Sequence, residues 1–303
     1  MEMMLRRTQF RIAGAIALVA LSACSSAVTT SAARIGDDRL SVDDFELTVQ
    51  QLGDAGQLDI VNGRVSGESS RSVLGALLRG MATTQMLDIY GEPVTDADRK
   101  VVLDQLEQDS QTALLGPELK ELIVSLNSED LALQRVEVPD MVALAETYAK
   151  EPAKLGAMCM RHILVADEST AKKVINLYND GEDFAQLAGT YSTEPGATTS
   201  GGILGSATSE CLALAEIQTG FDAGFTAGAL RAKENVAYGP VKSSFGWHVI
   251  LIRPFDEIAD PLNALLSVDP GNTLLTGYLA TADISIKSSY GRWNPPTGQI
   301  VAN

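Results

Sequence analysis

Apolar residues follow two regimes along the chain. From residue 42 to about 150 they recur every three or four positions, the spacing that gathers them on one side of a helix. From 158 to 253, short apolar runs of strand length alternate with helical stretches. In the first regime, an extended piece from Arg34 to Leu40 turns at Gly36-Asp37-Asp38. Ser41 with Asp44 then caps a helix that carries Val42, Phe45, Val49 and Leu52. A polar loop at 53–69 precedes a helix over about 70–90, with Leu74, Leu77, Leu78 and Met81 on one face and a stop at Gly91. Thr95 with Asp98 opens a third helix, and Pro117 sits in the first turn of a fourth carrying Leu119, Leu122, Ile123 and Leu126. Ser128 is read as the cap of a last helix over 129–150, kinked at Pro139, and Pro152 as a linker.

The second regime predicts a strand at 158–166, a helix capped by Asp167 with Ala171, Val174, Ile175 and Tyr178 inward, and a short helix with Phe184, Leu187 and Ala188. A strand at 203–205, a helix around 216–229 and strands at about 236–242 and 247–253 follow. That order suits a small antiparallel sheet with helices packed on it, an α+β fold. The tail predicts helical turns at Leu262, Leu265 and Leu266, a helix at Leu274 to Leu279, and strands at 283–290 and 299–301. It is too short to bury a core of its own and is expected to pack back on the helical region.

Charge changes the picture by exclusion. The chain of 303 residues carries a net −16, a surface that repels nucleic acid and anionic headgroups, so nucleic acid is not expected as a partner. Its amino end is the exception: Arg6, Arg7 and Arg11 precede an apolar run of about 12 residues, Ile12 to Ala23. That run is too short for a ~30 Å hydrocarbon core and has the layout of an export signal. It ends Leu21-Ser22-Ala23-Cys24, which resembles a bacterial lipobox. Residues 1–23 are therefore expected to be a lipoprotein signal peptide, Cys24 the lipidated residue, and 24–33 a flexible tether. The location implied is the extracytoplasmic face of the cell membrane, where disulfides are permitted. Cys159 and Cys211 then form a candidate disulfide, two free thiols being the alternative. None of the three cysteines has metal-ligand spacing, no HExxH occurs, and neither a metal nor a cofactor is expected.

The chain has only two histidines, His162 and His248, each in a strand-like run at one end of the block 156–256. A single histidine so placed is ordinarily a satisfied core residue. Two that bracket one compact block single it out. The runs Arg161-His162-Ile163-Leu164-Val165, Gly201-Gly202-Ile203-Leu204-Gly205, Gly239-Pro240-Val241 and Phe245-Gly246-Trp247-His248-Val249-Ile250 resemble parvulin-type peptidyl-prolyl cis-trans isomerases, as does Gly181-Glu182-Asp183-Phe184 with Tyr191-Ser192 downstream. The resemblance implies a four-stranded antiparallel sheet. It implies that His162 and His248 are the family's paired histidines, and that Glu194 stands where the family has Asp or Cys. The proline pocket falls on Leu204, Phe221 and Phe225, with Phe221 bulkier than the usual Met. The loop Ala166-Asp167-Glu168-Ser169 lacks the arginines of phosphate-reading members, so no phosphorylated substrate is implied.

With its lipobox, a helical region at 34–155 and a tail at 257–303, the whole resembles the PrsA/SurA-like exported foldase lipoproteins. The expected activity is isomerisation of X–Pro bonds in unfolded exported polypeptides. The alternative is a holdase chaperone whose parvulin block is catalytically weak.

Overall fold

The computed structural model describes residues 31–108, 112, 115–205 and 209–303. Cys24 and the signal region lie outside them. The amino-terminal part holds β1 (Ser31–Ile35), β2 (Asp38–Ser41), α1 (Val42–Asp54), β3 (Ile60–Val61), β4 (Arg64–Val65), α2 (Gly67–Tyr90), α3 (Asp96–Gln108), α4 (Pro117–Leu133) and α5 (Met141–Lys150). The central block follows as β5 (Ala157–Met158), β6 (Met160–Val165), α6 (Glu168–Asn179), α7 (Phe184–Tyr191), α8 (Ala197–Ser200), β7 (Ile203–Leu204), β8 (Leu212–Ala213), α9 (Leu214–Gly220), α10 (Ala223–Ala229), β9 (Ala237–Lys242) and β10 (Trp247–Ile252). The tail adds α11 (Phe255–Leu266), α12 (Pro270–Thr281), β11 (Ile284–Ile286), β12 (Arg292–Asn294) and β13 (Gln299–Val301).

Local chemistry sets the helix ends. The Ser41 hydroxyl oxygen accepts from the Asp44 amide at 3.0 Å and starts α1. Thr95 and Asp98 make a reciprocal box at α3: the Asp98 amide donates to Thr95 Oγ1 at 3.2 Å and the Thr95 amide to Asp98 Oδ2 at 2.8 Å. Gly91, at φ 71°, ends α2 in the left-handed conformation.

Five expectations are corrected. The stretch 24–33 is not all tether, because Ser31 to Ala33 belong to β1 and Ala32 and Ala33 are buried. The loop 53–69 contains the hairpin β3–β4, turned by Asn62 and Gly63 with φ of 55° and 70°, a signal the Asn-Gly pair carries. Ser128 is no cap: it lies inside α4 and its hydroxyl donates to the Val124 carbonyl at 2.6 Å. The cap of α5 is Asp140, which accepts from the Val142 and Ala143 amides at 3.0 and 2.9 Å. Pro139 disfavours helical backbone at the residue before it, so two helices replace one kinked helix. The region 216–229 splits into α9 and α10 because the Asp222 side chain caps a new helix at Gly224 and Phe225. Pro152 opens a buried 3-10 turn, Pro152–Leu155, packed against α12. Gly156 ends that turn at φ 69°, where any Cβ would collide with the Thr273 carbonyl of α12.

The central sheet has the order β7-β6-β10-β9, antiparallel throughout. One face carries Ile163, Val165, Val249 and Leu251, which pack with Val174 of α6 and Phe184 and Leu187 of α7 into a core of their own. The other face carries the histidines. Its apolar members, Met160, Ile250 and Ile252, join a second core that runs through Phe225 and Ile217 to Leu74, Leu78 and Phe45 of the helical part and Ile300 of β13. The histidine face of the sheet and the helical part therefore share one interior. The tail closes it: β11 pairs with β1, Ile284 opposite Ile35, in a sheet ordered β11-β1-β2.

Candidate functional site

Alternation along β6 and β10 puts His162 and His248 on the same face of adjacent strands. Their register is offset, with His162 opposite Ile250 and His248 opposite Leu164, so the rings meet diagonally. They stack at 15° with centroids 5.6 Å apart, and Nδ1 faces Nδ1 at 3.3 Å. Both are buried.

Each ring has a second partner. His162 Nε2 lies 2.5 Å from Glu194 Oε2, and His248 Nε2 lies 2.7 Å from Ser243 Oγ. With one proton on each ring, a single arrangement satisfies all of these contacts. An ionised Glu194 can only accept, so His162 donates from Nε2 and leaves Nδ1 bare. His248 then donates from Nδ1, and its bare Nε2 accepts the Ser243 hydroxyl. A single directed chain results, Ser243 to His248 to His162 to Glu194. The hydrogen bond from His162 holds the Glu194 carboxyl below its usual range, against the opposing effect of burial. Burial first, then the neighbouring His162, push His248 down to about 4, so that ring stays neutral near neutral pH.

Neighbouring loops hold these groups in place. Ser192 Oγ accepts from the Leu164 amide of β6 at 3.2 Å and from the Glu194 amide at 3.3 Å, and the Thr193 amide donates to the Leu164 carbonyl at 2.7 Å. Ser192 and Thr193 thus dock the loop that delivers Glu194 to His162. Gly202, at φ 79°, lays its carbonyl 2.8 Å from the His162 amide, and a Cβ there would strike the His162 carbonyl. Ser243 Oγ also accepts from the Phe245 amide at 3.0 Å, which shapes the β9–β10 loop.

Phe225 of α10 covers the pair, edge-on to His248 at 4.9 Å and to His162 at 5.5 Å. It is 2% exposed; Phe221 stacks on it at 5.6 Å and is 36% exposed. Asp222 ties this wall to the β9–β10 loop: Oδ1 accepts from the Gly224 amide at 2.8 Å, and Oδ2 from Ser244 N and Oγ at 3.1 and 2.8 Å. The Ser244 hydroxyl is the main reason the Asp222 carboxyl lies below its usual range.

His162, His248, Glu194, Phe221 and Phe225 therefore come together. Leu204 sits on β7 opposite Met160, two positions along β6 from His162. Sequence reasoning missed Ser243, Asp222 and Ser192 as site-building residues, and Phe245, 75% exposed in the adjoining loop. Ser243 lies between the runs Gly239-Pro240-Val241 and Phe245 to Ile250, and only the fold shows which ring atom it meets. Cys159 and Cys211 are joined by a disulfide with Cα atoms 4.2 Å apart, linking the start of β6 to β8. Among the described residues no group of three or more His, Cys, Asp or Glu side chains has metal-binding geometry.

Residues 160–254 match the model of the PPIC-type PPIASE domain family. Similar curated proteins include Foldase protein PrsA of Clostridium kluyveri, 36% identical over 137 residues, which are 43% of this chain and 37% of that protein. The chain thus spans little more than a third of that relative's length. Foldase protein PrsA 3 of Bacillus cereus is 27% identical over 258 residues, 81% of this chain and 78% of that one. Among solved structures, PrsA from Bacillus subtilis covers 86% of this chain and 95% of its own, at 22% identity and a TM-score of 0.30. NmPin, the parvulin of Nitrosopumilus maritimus, covers 32% and 96% at 26% identity and a TM-score of 0.28. With its stacked histidines, carboxylate and phenylalanine wall, the stretch 160–254 is a parvulin-type peptidyl-prolyl isomerase domain, set in a PrsA-like chain.

Proposed function

We propose that this protein is an exported peptidyl-prolyl cis-trans isomerase that assists the folding of secreted or envelope proteins. The observation that carries the reading is the directed chain from Ser243 through both histidines to Glu194, lying under Phe225 inside the matched block. Rotation about an X–Pro bond breaks amide resonance over a barrier of roughly 18–20 kcal/mol, and no bond need be made or cleaved. As the amide twists, negative charge leaves the carbonyl oxygen and returns to nitrogen. A fixed negative charge beside that oxygen disfavours the planar amide more than the twisted one. Glu194, ionised and held on one oxygen by His162, supplies that charge. Phe221 and Phe225, with Leu204 across the sheet, hold the proline ring. The histidines fix the geometry and do not act as nucleophiles.

In this reading residues 34–155 and 257–303 form one client-holding lobe around the domain at 156–256. Cys24 anchors the chain by lipid at the extracytoplasmic face, and the partners are unfolded, proline-containing exported polypeptides. Changing Cys24→Ala should move the protein out of the membrane fraction; unchanged fractionation and migration would remove the anchor from the proposal. The central test is the rate of cis-trans exchange of short X–Pro peptides, followed by NMR with the purified protein. Acceleration by the wild type is expected. The near-complete burial of Phe225 favours a second reading, a holdase that grips proline segments without turning them over. A folded wild type that binds such peptides without speeding exchange would establish that reading instead.

A further inference from the structure

The helix that carries Phe225 is poorly equipped to stand alone. α10 has seven residues, two of them the glycines Gly224 and Gly228. A helix this short is marginal in water, and glycine is the poorest helix former after proline. Neighbours must therefore hold α10, and with it the ring over the histidines. The two glycines let it lie close on β9: a Cβ on Gly224 would come within 2.4 Å of the Lys242 carbonyl oxygen, and one on Gly228 within 2.6 Å of the Val241 side chain. Asp222 caps its first turn and also holds Ser244. A further support comes from the tail. The 3-10 turn Pro295–Thr297, between β12 and β13, packs on α10 and also on α9 and α12. The Gln218 side-chain amide of α9 donates to the Pro295 carbonyl at 2.7 Å, across 77 residues of chain. Gly298 follows the turn at φ 61°, so close that a Cβ there would stand 3.1 Å from Gln218 Oε1. The turn is closed on itself by Thr297 Oγ1, which accepts from Asn294 Nδ2 at 2.9 Å and donates to the Asn294 carbonyl at 3.2 Å.

We propose that Gln218 and the turn at Pro295–Thr297 are positioning elements for the proline wall, so that the tail completes a pocket whose other parts lie within residues 160–254. Gln218 sits near the end of α9, three residues before Phe221 and seven before Phe225. Tying it to the tail fixes the corner between α9 and α10, where Phe221 lies and from which α10 carries Phe225. With the tie cut, α10 keeps its Asp222 cap but loses support from the tail, and Phe225 stands less often over the histidines. A proline ring is then held less well in ground state and transition state alike, which raises KM and leaves kcat in place. What the wall does rests on the isomerase reading; where it stands does not.

The test uses three variants of the full protein. Gln218→Ala cuts the tie from the side of α9, and Thr297→Ala loosens the turn from the side of the tail. Ser128→Ala is the control for lost stability, because it removes a buried hydroxyl bond inside α4, away from α10. Thermal melts show which variants fold and how far each is destabilised; should Gln218→Ala not fold, Thr297→Ala carries the test. The first readout is NMR of the two imidazoles, whose resonances report the Phe225 ring lying edge-on to both. They should shift in the same direction in Gln218→Ala and Thr297→Ala and stay in place in Ser128→Ala. The second is KM and kcat for exchange of a short X–Pro peptide. KM should rise about fivefold in Gln218→Ala, the scale of one neutral hydrogen bond, with kcat within twofold of the wild type. Imidazole resonances unmoved in the folded tail-tie variants would overturn the proposal. So would a fall in kcat at constant KM, or a rise in KM as large in Ser128→Ala. A wild type silent in the exchange assay would defeat the isomerase reading, and the imidazole shifts would still decide whether the tail sets the wall.

Discussion

Replacing Ser243 by alanine tests the directed hydrogen-bond chain at its far end. Ser243 is buried, donates to His248 Nε2 at 2.7 Å and accepts from the Phe245 amide at 3.0 Å. Alanine leaves a buried ring nitrogen and a loop amide without partners, a loss of about 2 kcal/mol in folding stability. The larger consequence is in the rings. With the donor gone, nothing holds the His248 proton on Nδ1. If it moves to Nε2, two bare Nδ1 atoms face each other at 3.3 Å. His162 must then shift its own proton and release Glu194. Loss of one such constraint is expected to lower kcat/KM on a proline peptide about tenfold, the equivalent of 1.4 kcal/mol. The assay is clean because the chain has two histidines and no more. Multiple-bond ¹H–¹⁵N NMR of the imidazoles therefore yields two ring systems. The wild type should show opposite tautomers, Nδ1–H on His248 and Nε2–H on His162, and Ser243→Ala should show mixtures. Identical tautomers in the wild type, or a variant unchanged in spectrum, melting and rate, would refute the chain.

Phe225→Ala removes an aromatic side chain that is 2% exposed, so the expected destabilisation is roughly 3–5 kcal/mol. With Phe225→Leu as the folded control, kcat/KM should fall more than tenfold in Ala and less in Leu; equal activity in all three would take the wall away from this residue. Glu129 is buried between α4 and α2, and burial raises its carboxyl from an ordinary 4.5 to about 7, only partly offset by the Thr84 hydroxyl at 2.8 Å. Between those values the folded chain holds a proton that the unfolded chain has lost, so Glu129 favours folding below pH 4.5 and that contribution is lost as pH rises through about 7. Glu129→Gln should thus melt like the wild type at pH 4 and be more stable at pH 8 by up to about 3 kcal/mol; parallel pH–stability curves would contradict this. The Cys159–Cys211 bond closes a 52-residue separation, so reduction should cost roughly 2–4 kcal/mol, and thiol titration of the denatured, unreduced protein should find neither cysteine.

Much of this site was legible because its residues are local in sequence or carry strong backbone demands. The two histidines stood out by scarcity, the Gly201-Gly202 pair by its need for positive φ, and Asp167, Thr95 and Ser41 as caps whose partners lie three residues on. What escaped depended on partners far along the chain or on equal-looking alternatives. Ser128 has a capping residue's chemistry but spends its hydroxyl on Val124, and only packing decides between the two. Asp222 breaks a helix that periodicity runs together, because its second oxygen is claimed by Ser244, 22 residues later. Phe221 and Phe225 are four residues apart in sequence, yet one is half open and the other buried in the larger core. No periodicity encodes that difference. The buried turn at Pro152–Leu155 looked like a linker because its cover, α12, arrives more than a hundred residues later.

The pairing of β1 with β11 has a consequence for how the chain is made. Arg34 and Asp283, bonded at 2.8 Å across those strands, are 249 residues apart. Contacts of such range are late and slow, because the whole intervening loop must close first. Under the proposed export, the polypeptide crosses the membrane threaded and amino end first. The edge of β1 then waits, unpaired, while the entire isomerase domain emerges behind it, and an open strand edge is an invitation to aggregate. A newly exported copy passes through the same exposed, half-finished state as the clients assigned to it. Mature copies already on the outer face would be available to receive it.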